Sequence, residues 1–137
     1  MADPFSILRR VQFAETDLAG VAHFANYFRW MEEAEHACFR SVGLSVAMQH
    51  GGAEIGWPRV AAGCEFFGPV RFEDELELRL RVTKVGEKSF NYEVDFIKAD
   101  RNIALGKVTS VCCAIGPEGR FAPIEIPSEI RGKLSPR

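Results

Sequence analysis

No stretch of this 137-residue chain approaches the ~20 consecutive apolar residues that cross a bilayer, and Met1 to Arg10 has no apolar run of signal-peptide length. A membrane span is excluded and a cytoplasmic location is expected. A net positive charge is also lacking. Seventeen lysines and arginines against 19 aspartates and glutamates leave a net charge of -2, so no broad basic field is present to hold a nucleic-acid backbone. Nucleic acid is not an expected partner. Only four cysteines occur, Cys38, Cys64, Cys112 and Cys113, and their spacing fits neither a zinc site nor a redox Cys-x-x-Cys pair. They read as small apolar side chains in a reducing compartment, with the adjacent Cys112 and Cys113 on opposite faces of a strand. His36 and His50 stand apart from any carboxylate or cysteine ligand set, so no metal is expected. Nor is there a nucleophile elbow, a phosphate-binding glycine loop or a dinucleotide fingerprint, and no cofactor is expected.

Apolar residues make up 47% of the chain and charged residues 26%, values of a folded globular domain and not of a disordered segment. There is no repeat, low-complexity tract or charged tail, and glycines and prolines fall between periodic segments. Residues 1–137 are therefore expected to form one domain.

Phe5 to Phe13 reads as a strand whose alternation is interrupted by Arg9 and Arg10, and the polar segment from Glu15 to Gly20 reads as a loop. From Phe24 to Val42 the period changes. Phe24, Tyr27, Phe28, Met31, Ala34, Cys38 and Val42 recur at steps of three and four, which predicts an amphipathic helix of about five turns, ended by Gly43. Ser45 to Pro58 reads as a connecting loop. Strands follow at Arg59–Phe67, at Glu75–Val82 with Leu76, Leu78, Leu80 and Val82 on one face, and at Phe90–Phe96, with Val85 to Ser89 as the turn between the last two. A longer strand is expected from Ile103 to Ile115, and one helical turn within Pro127–Leu134. The order of strand, helix and four further strands predicts an α+β fold in which an antiparallel sheet of about five strands is covered by one long helix.

Asp17 lies in the loop between strand and helix, where a scaffold can hold a polar group beside a substrate. A carboxylate there can deprotonate a water or attack an acyl carbon, or it can close an Asx-turn or cap the helix. Backbone N–H groups at the helix start, near Phe24 to Tyr27, can polarise a carbonyl oxygen, as those of any helix start can. His23 and Asn26 flank that start and can hydrogen-bond a substrate or cap the helix. Glu32, Glu33 and Glu35 read as a solvated or interface face of the helix, or as alternative sources of a base. Arg59, Arg71, Arg81, Lys84, Lys88 and Lys107 are candidates for contacts with phosphates, although scattered basic residues mostly serve solubility. Trp57, Phe66 and Phe67 are candidate pocket residues.

The stretch AETDLAGVAHFANYFRWMEEAEHACFRSVG, Ala14 to Gly43, resembles the start of the 4-hydroxybenzoyl-CoA thioesterase family, which includes the YbgC-like acyl-CoA thioesterases. Asp17, Gly20, Val21, His23, Asn26, Tyr27 and the acidic pair Glu32 and Glu33 before Ala34 carry the likeness, and Cys64 to Phe96 extends it. The resemblance implies a hotdog fold, with a curved sheet wrapped around the helix. It also implies a homodimer or homotetramer with active sites at the subunit interface, and an acyl-CoA or aryl-CoA substrate hydrolysed without cofactor or metal. By the same likeness Asp17 is the catalytic carboxylate and the Phe24 backbone amide polarises the thioester carbonyl, with His23, Asn26 and Tyr27 around them. The chain departs from the family at Phe24, where many relatives carry a second histidine, and at Glu35, where many carry arginine. The site lining and the subunit contact are therefore expected to differ there. A second branch of the fold places its carboxylate on the helix, which keeps Glu32 or Glu33 in reserve. The alternatives are an acyl-carrier-protein thioesterase, a hydratase on the same fold, and a noncatalytic acyl-CoA-binding module.

Overall fold

The computed structural model describes residues 4–135. The alternating segments pair as their patterns require. A five-stranded antiparallel sheet runs in the order β1 (Phe5–Arg10), β5 (Glu75–Val85), β6 (Ser89–Lys98), β7 (Arg101–Val111), β4 (Arg59–Phe66). Leu76, Leu78, Leu80 and Val82 of β5 and Phe90, Tyr92, Val94 and Phe96 of β6 are buried on one face, as their period of two dictates. The charged residues between them face water, where Arg81 bridges to Glu93 and Asp95 on the neighbouring strand.

Helix α1 (Ala25–Ser41) lies on the apolar face, against β1, β5 and β7. Tyr27, Trp30, Met31, Ala34, Cys38 and Phe39 are buried there, each large side chain contributing roughly 1.5–3 kcal/mol of transfer free energy. The buried stripe is rotated from the one expected. Trp30 and Phe39 belong to it, while Phe24, at 65% exposure, and Phe28 lie outside it and are exposed. Gly43 ends the helix as anticipated, at φ +79, with the Leu44 amide donating to the Phe39 carbonyl and the Gly43 amide to that of Arg40. α1 approaches β7 most closely at Gly106, where a Cβ would overlap Met31 Sδ.

Three expectations need correction. The first strand stops at Arg10, and Phe13 sits in a 3-10 turn, Phe13–Glu15, exposed against Phe72. The presumed loop from Ser45 to Pro58 contains β2 (Met48–His50) and β3 (Ala53–Gly56), joined by Gly51 and Gly52, both at positive φ. A Gly-Gly pair of that kind is a hairpin turn, and strands of three and four residues are too short to show a period. The presumed single strand from Ile103 to Ile115 breaks at Cys112. The chain there leaves the large sheet and continues as β8 (Cys113–Ile115), which joins β2, β3 and β9 (Phe121–Pro123) in a second sheet. Cys112 and Cys113 are both buried, and of the two Cys112 belongs to the main core. Helix α2 (Ser128–Lys133) falls where a helical turn was expected.

Glu35 also departs from expectation. It is only 1% exposed and turned toward the sheet, where one carboxylate oxygen is bonded to Arg59 of β4, while the other has no partner among the described residues. Arg59 in turn donates to the Trp57 carbonyl at 2.8 Å and to Ser110 Oγ at 3.2 Å, and lies 3.5 Å from Glu32. This pair ties the helix to the edge strand. Burial pushes the Glu35 carboxyl up to about 7 against the pull of Arg59.

Two consequences can be measured. Gly106→Ala is expected to cost about 1–3 kcal/mol in urea denaturation, and much less in a Met31→Ala background, where the overlap is gone. Because the folded chain holds the Glu35 proton more tightly than an unfolded glutamate, the stability tied to it is present below the ordinary value of 4.5. It is lost as pH rises through about 7. Glu35→Gln, fixed in the neutral form, should therefore gain on the wild type between about pH 5 and about pH 8, by on the order of 2 kcal/mol. A difference that does not change with pH would contradict this.

Candidate active site

The loop from β1 to α1 is short and heavily bonded. The Thr16 amide and hydroxyl both donate to the Phe13 carbonyl, at 3.1 and 2.7 Å, and a bridge pairs Thr16 with Ala22. The Asp17 amide donates to the Val21 carbonyl at 2.8 Å, and the Gly20 amide returns to the Asp17 carbonyl at 3.0 Å. These bonds close a tight turn that needs Gly20 at φ +79. The Ala22 amide then anchors the turn to the Val70 carbonyl at 2.7 Å.

Asp17 is thus held at the first position of a turn and exposed. Its Oδ1 accepts the Ala19 amide at 2.9 Å and the Val21 amide at 3.4 Å, so the Asx-turn weighed on sequence grounds is formed. Oδ2 takes no hydrogen bond from the described residues, and the two roles do not compete: one oxygen orients the group and the other stays open.

At the helix start, four of the five amides from His23 to Tyr27 are engaged. That of His23 donates to the Glu15 carbonyl, Ala25 to His23 Nδ1 at 3.1 Å, Asn26 to the His23 carbonyl and Tyr27 to the Phe24 carbonyl. The amide of Phe24 donates to nothing among the described residues. An unpaired donor at a helix N-terminus, on an exposed residue, is suited to receive an oxygen on which negative charge develops.

The remaining predicted residues take distinct places. His23 is a cap: its Nδ1 accepts the Ala25 amide, which leaves Nε2 to carry the proton of the neutral ring, and the ring stacks on Phe24 at 5.0 Å. Asn26 is buried and donates from Nδ2 to the Glu15 carbonyl at 2.9 Å. Tyr27 turns into the core, packing edge-on against Phe66 and Phe96, and burial pushes its hydroxyl up to about 12. Glu32 and Glu33 are exposed farther along the helix, where Glu33 pairs with Arg9 at 2.8 Å. Trp57 is a core residue, while Phe66 and Phe67 are exposed.

Sequence reasoning missed Glu15, Arg9 and Trp30, which surround the base of the loop. The signal was present in Arg9, which shares a strand face with Phe5 and Ile7. A cation on the inward face of a strand implies a buried partner.

The sequence profile of the thioesterase superfamily matches residues 19–104. A protein of Aquifex aeolicus is 34% identical over 128 residues, covering 93% of this chain and 94% of its own. The 1,4-dihydroxy-2-naphthoyl-CoA hydrolase of Synechocystis is 30% identical over 125 residues, covering 90% of each chain. Among solved structures, a gentisyl-coenzyme A thioesterase superposes with a TM-score of 0.82 at 34% identity, over 93% of this chain and 99% of its own. A 4-hydroxybenzoyl CoA thioesterase shares the fold with a TM-score of 0.86 at 20% identity, over 98% and 100% of the two chains. Matching that profile over most of its length and that fold over nearly all of it, this chain belongs to the thioesterase superfamily and is a thioester hydrolase of the hotdog fold.

Proposed function

We propose that the chain acts as one hotdog domain that hydrolyses an aryl-CoA or acyl-CoA thioester to the free acid and coenzyme A, with Asp17 as general base or nucleophile. The observation that carries the reading is the presence of an exposed carboxylate, bonded through one oxygen only, beside a helix start whose Phe24 amide alone, from His23 to Tyr27, donates to nothing among the described residues. With the thioester oxygen on the Phe24 amide, Asp17 either takes a proton from the water that attacks the carbonyl carbon or attacks that carbon itself. The negative charge of the tetrahedral intermediate falls on the oxygen at the amide, the C–S bond breaks and coenzyme A leaves as the thiolate, which takes up the proton Asp17 removed from water; on the nucleophilic route the Asp17 acyl anhydride is then cleaved by water, releasing the acid and freeing the carboxylate. His23, Asn26 and Tyr27 support this arrangement by capping, anchoring and packing the helix start.

The relatives named for 1,4-dihydroxy-2-naphthoyl-CoA and gentisyl-coenzyme A support an aromatic acyl group. A homodimer, alone or doubled into a homotetramer, is supported by β4. Among the described residues it pairs with β7 alone and so offers an open edge, beside the exposed Val60 and Phe66. A cytoplasmic location fits a chain in which no described helix is long and apolar enough to cross a membrane.

The test is thiol release from benzoyl-, hydroxybenzoyl-, short- and long-chain acyl-CoAs by the wild type and by Asp17→Asn. At least one aryl-CoA should be hydrolysed, and the variant, folded by circular dichroism, should lose roughly 100-fold or more in kcat. Full rate in the variant would remove Asp17 from the chemistry and turn attention to Glu32 or Glu33. Binding without hydrolysis by the wild type would favour a carrier-protein thioester or a binding role.

A further inference from the structure

Outside the groups that face the substrate, the most heavily bonded polar side chain near the site is that of Glu15, two residues before Asp17. Its carboxylate accepts four hydrogen bonds. Oε1 takes the Gln12 amide at 2.7 Å and Arg9 Nη1 at 3.2 Å, and Oε2 takes Arg9 Nη2 at 2.6 Å and the Trp30 indole N–H at 3.0 Å. Its main-chain carbonyl accepts two more, from the His23 amide at 2.8 Å and Asn26 Nδ2 at 2.9 Å. One residue is therefore bonded to β1, to the 3-10 turn, to the residue before Phe24 and to the second turn of α1. Arg9 extends the network to Glu33 at 2.8 Å and lies over the Trp30 ring at 5.8 Å.

Resting on the reading of Asp17 above, we infer that Glu15 is a positioning residue: through Arg9 and Trp30 it fixes the distance between the Asp17 carboxylate and the Phe24 amide. The chain from Thr16 to Ala22 is clamped at its base by the two bonds to the Glu15 carbonyl, and the side chain keeps that carbonyl in place relative to the helix axis. Side-chain exposures of 16% for Arg9 and 12% for Glu15 make these charge-assisted bonds stronger than surface pairs. Burial pushes the Glu15 carboxyl up, but its bonds from Gln12, Trp30 and Arg9 together outweigh this and hold it below the ordinary value. A neutral amide does not substitute. Every bond to the two oxygens comes from an N–H, so the NH2 of a glutamine would face two donors in either orientation.

The experiment compares Glu15→Gln in the wild-type and Asp17→Asn backgrounds, with kcat, KM and Tm measured for each on the aryl-CoA that the wild type hydrolyses. A shift of the turn by about 1 Å predicts a kcat loss of roughly 10- to 100-fold with KM within about threefold. Because Glu15 acts through Asp17, the same substitution should change the residual rate of Asp17→Asn by less than about threefold, although its effect on Tm is the same in both backgrounds. Unchanged kcat in Glu15→Gln, or equal losses in both backgrounds, would overturn the assignment while leaving Asp17 in its role. Wild-type rate in Asp17→Asn would overturn both. Should Glu15→Gln fail to fold, Trp30→Phe removes one donor and keeps the ring. Its kcat should then fall by about 3- to 10-fold in the wild-type background alone, and wild-type kcat there would overturn the assignment.

Discussion

The long helix α1 carries Trp30, Met31, Ala34, Cys38 and Phe39 on one side, and among the described residues they are covered by the apolar face of the five-stranded sheet. That packing sets the position of everything else. It requires a glycine at 106, where helix and strand come closest, and it turns Glu35 inward onto Arg59. It leaves Phe24 and Phe28 exposed at the start of the helix, and the Phe24 amide without an acceptor among the described residues. A helix end with a free donor is normally capped by its own sequence. Here the N-cap residue is Phe24, whose side chain makes no capping bond, and His23 satisfies the next amide instead.

Two acidic residues near the helix illustrate how environment divides roles. Glu35 is buried, paired with Arg59 and committed to joining α1 to an edge strand. Asp17 is exposed, bonded on one side only and held by a turn whose backbone bonds close within the segment from Phe13 to Ala22 and onto Val70 of the loop before β5. The role proposed for Asp17 needs a carboxylate that is both accessible and immobile, and a rigid scaffold under a short loop supplies both.

What was legible in the sequence follows from period and length. Leu76 to Val82 and Phe90 to Phe96 alternate over enough residues to fix strand, face and partner, and Gly43 marks the helix end. The strands Met48–His50 and Ala53–Gly56 span less than two full alternations each, and their pairing with Cys113–Ile115 is set by tertiary contact, so no local pattern announces them. Phe24 and Phe28 fit the helical period yet stay exposed, because periodicity gives the spacing of an apolar stripe and not its angle to the sheet. The motif from Asp17 to Tyr27 pointed to the candidate site directly. The network of Arg9, Glu15 and Trp30 did not appear, since it joins residues up to 21 positions apart that meet only once the helix has docked.

The proposed mechanism requires the Phe24 amide and Asp17 to act on one carbonyl. Infrared difference spectroscopy of an aryl-CoA labelled with carbon-13 at the thioester carbonyl, bound to Asp17→Asn, tests it most directly. The account predicts a carbonyl stretch shifted to lower frequency than in water, since a preorganised donor polarises the bond. An unshifted stretch for the bound thioester would show that the carbonyl does not sit at the helix start and would contradict the account.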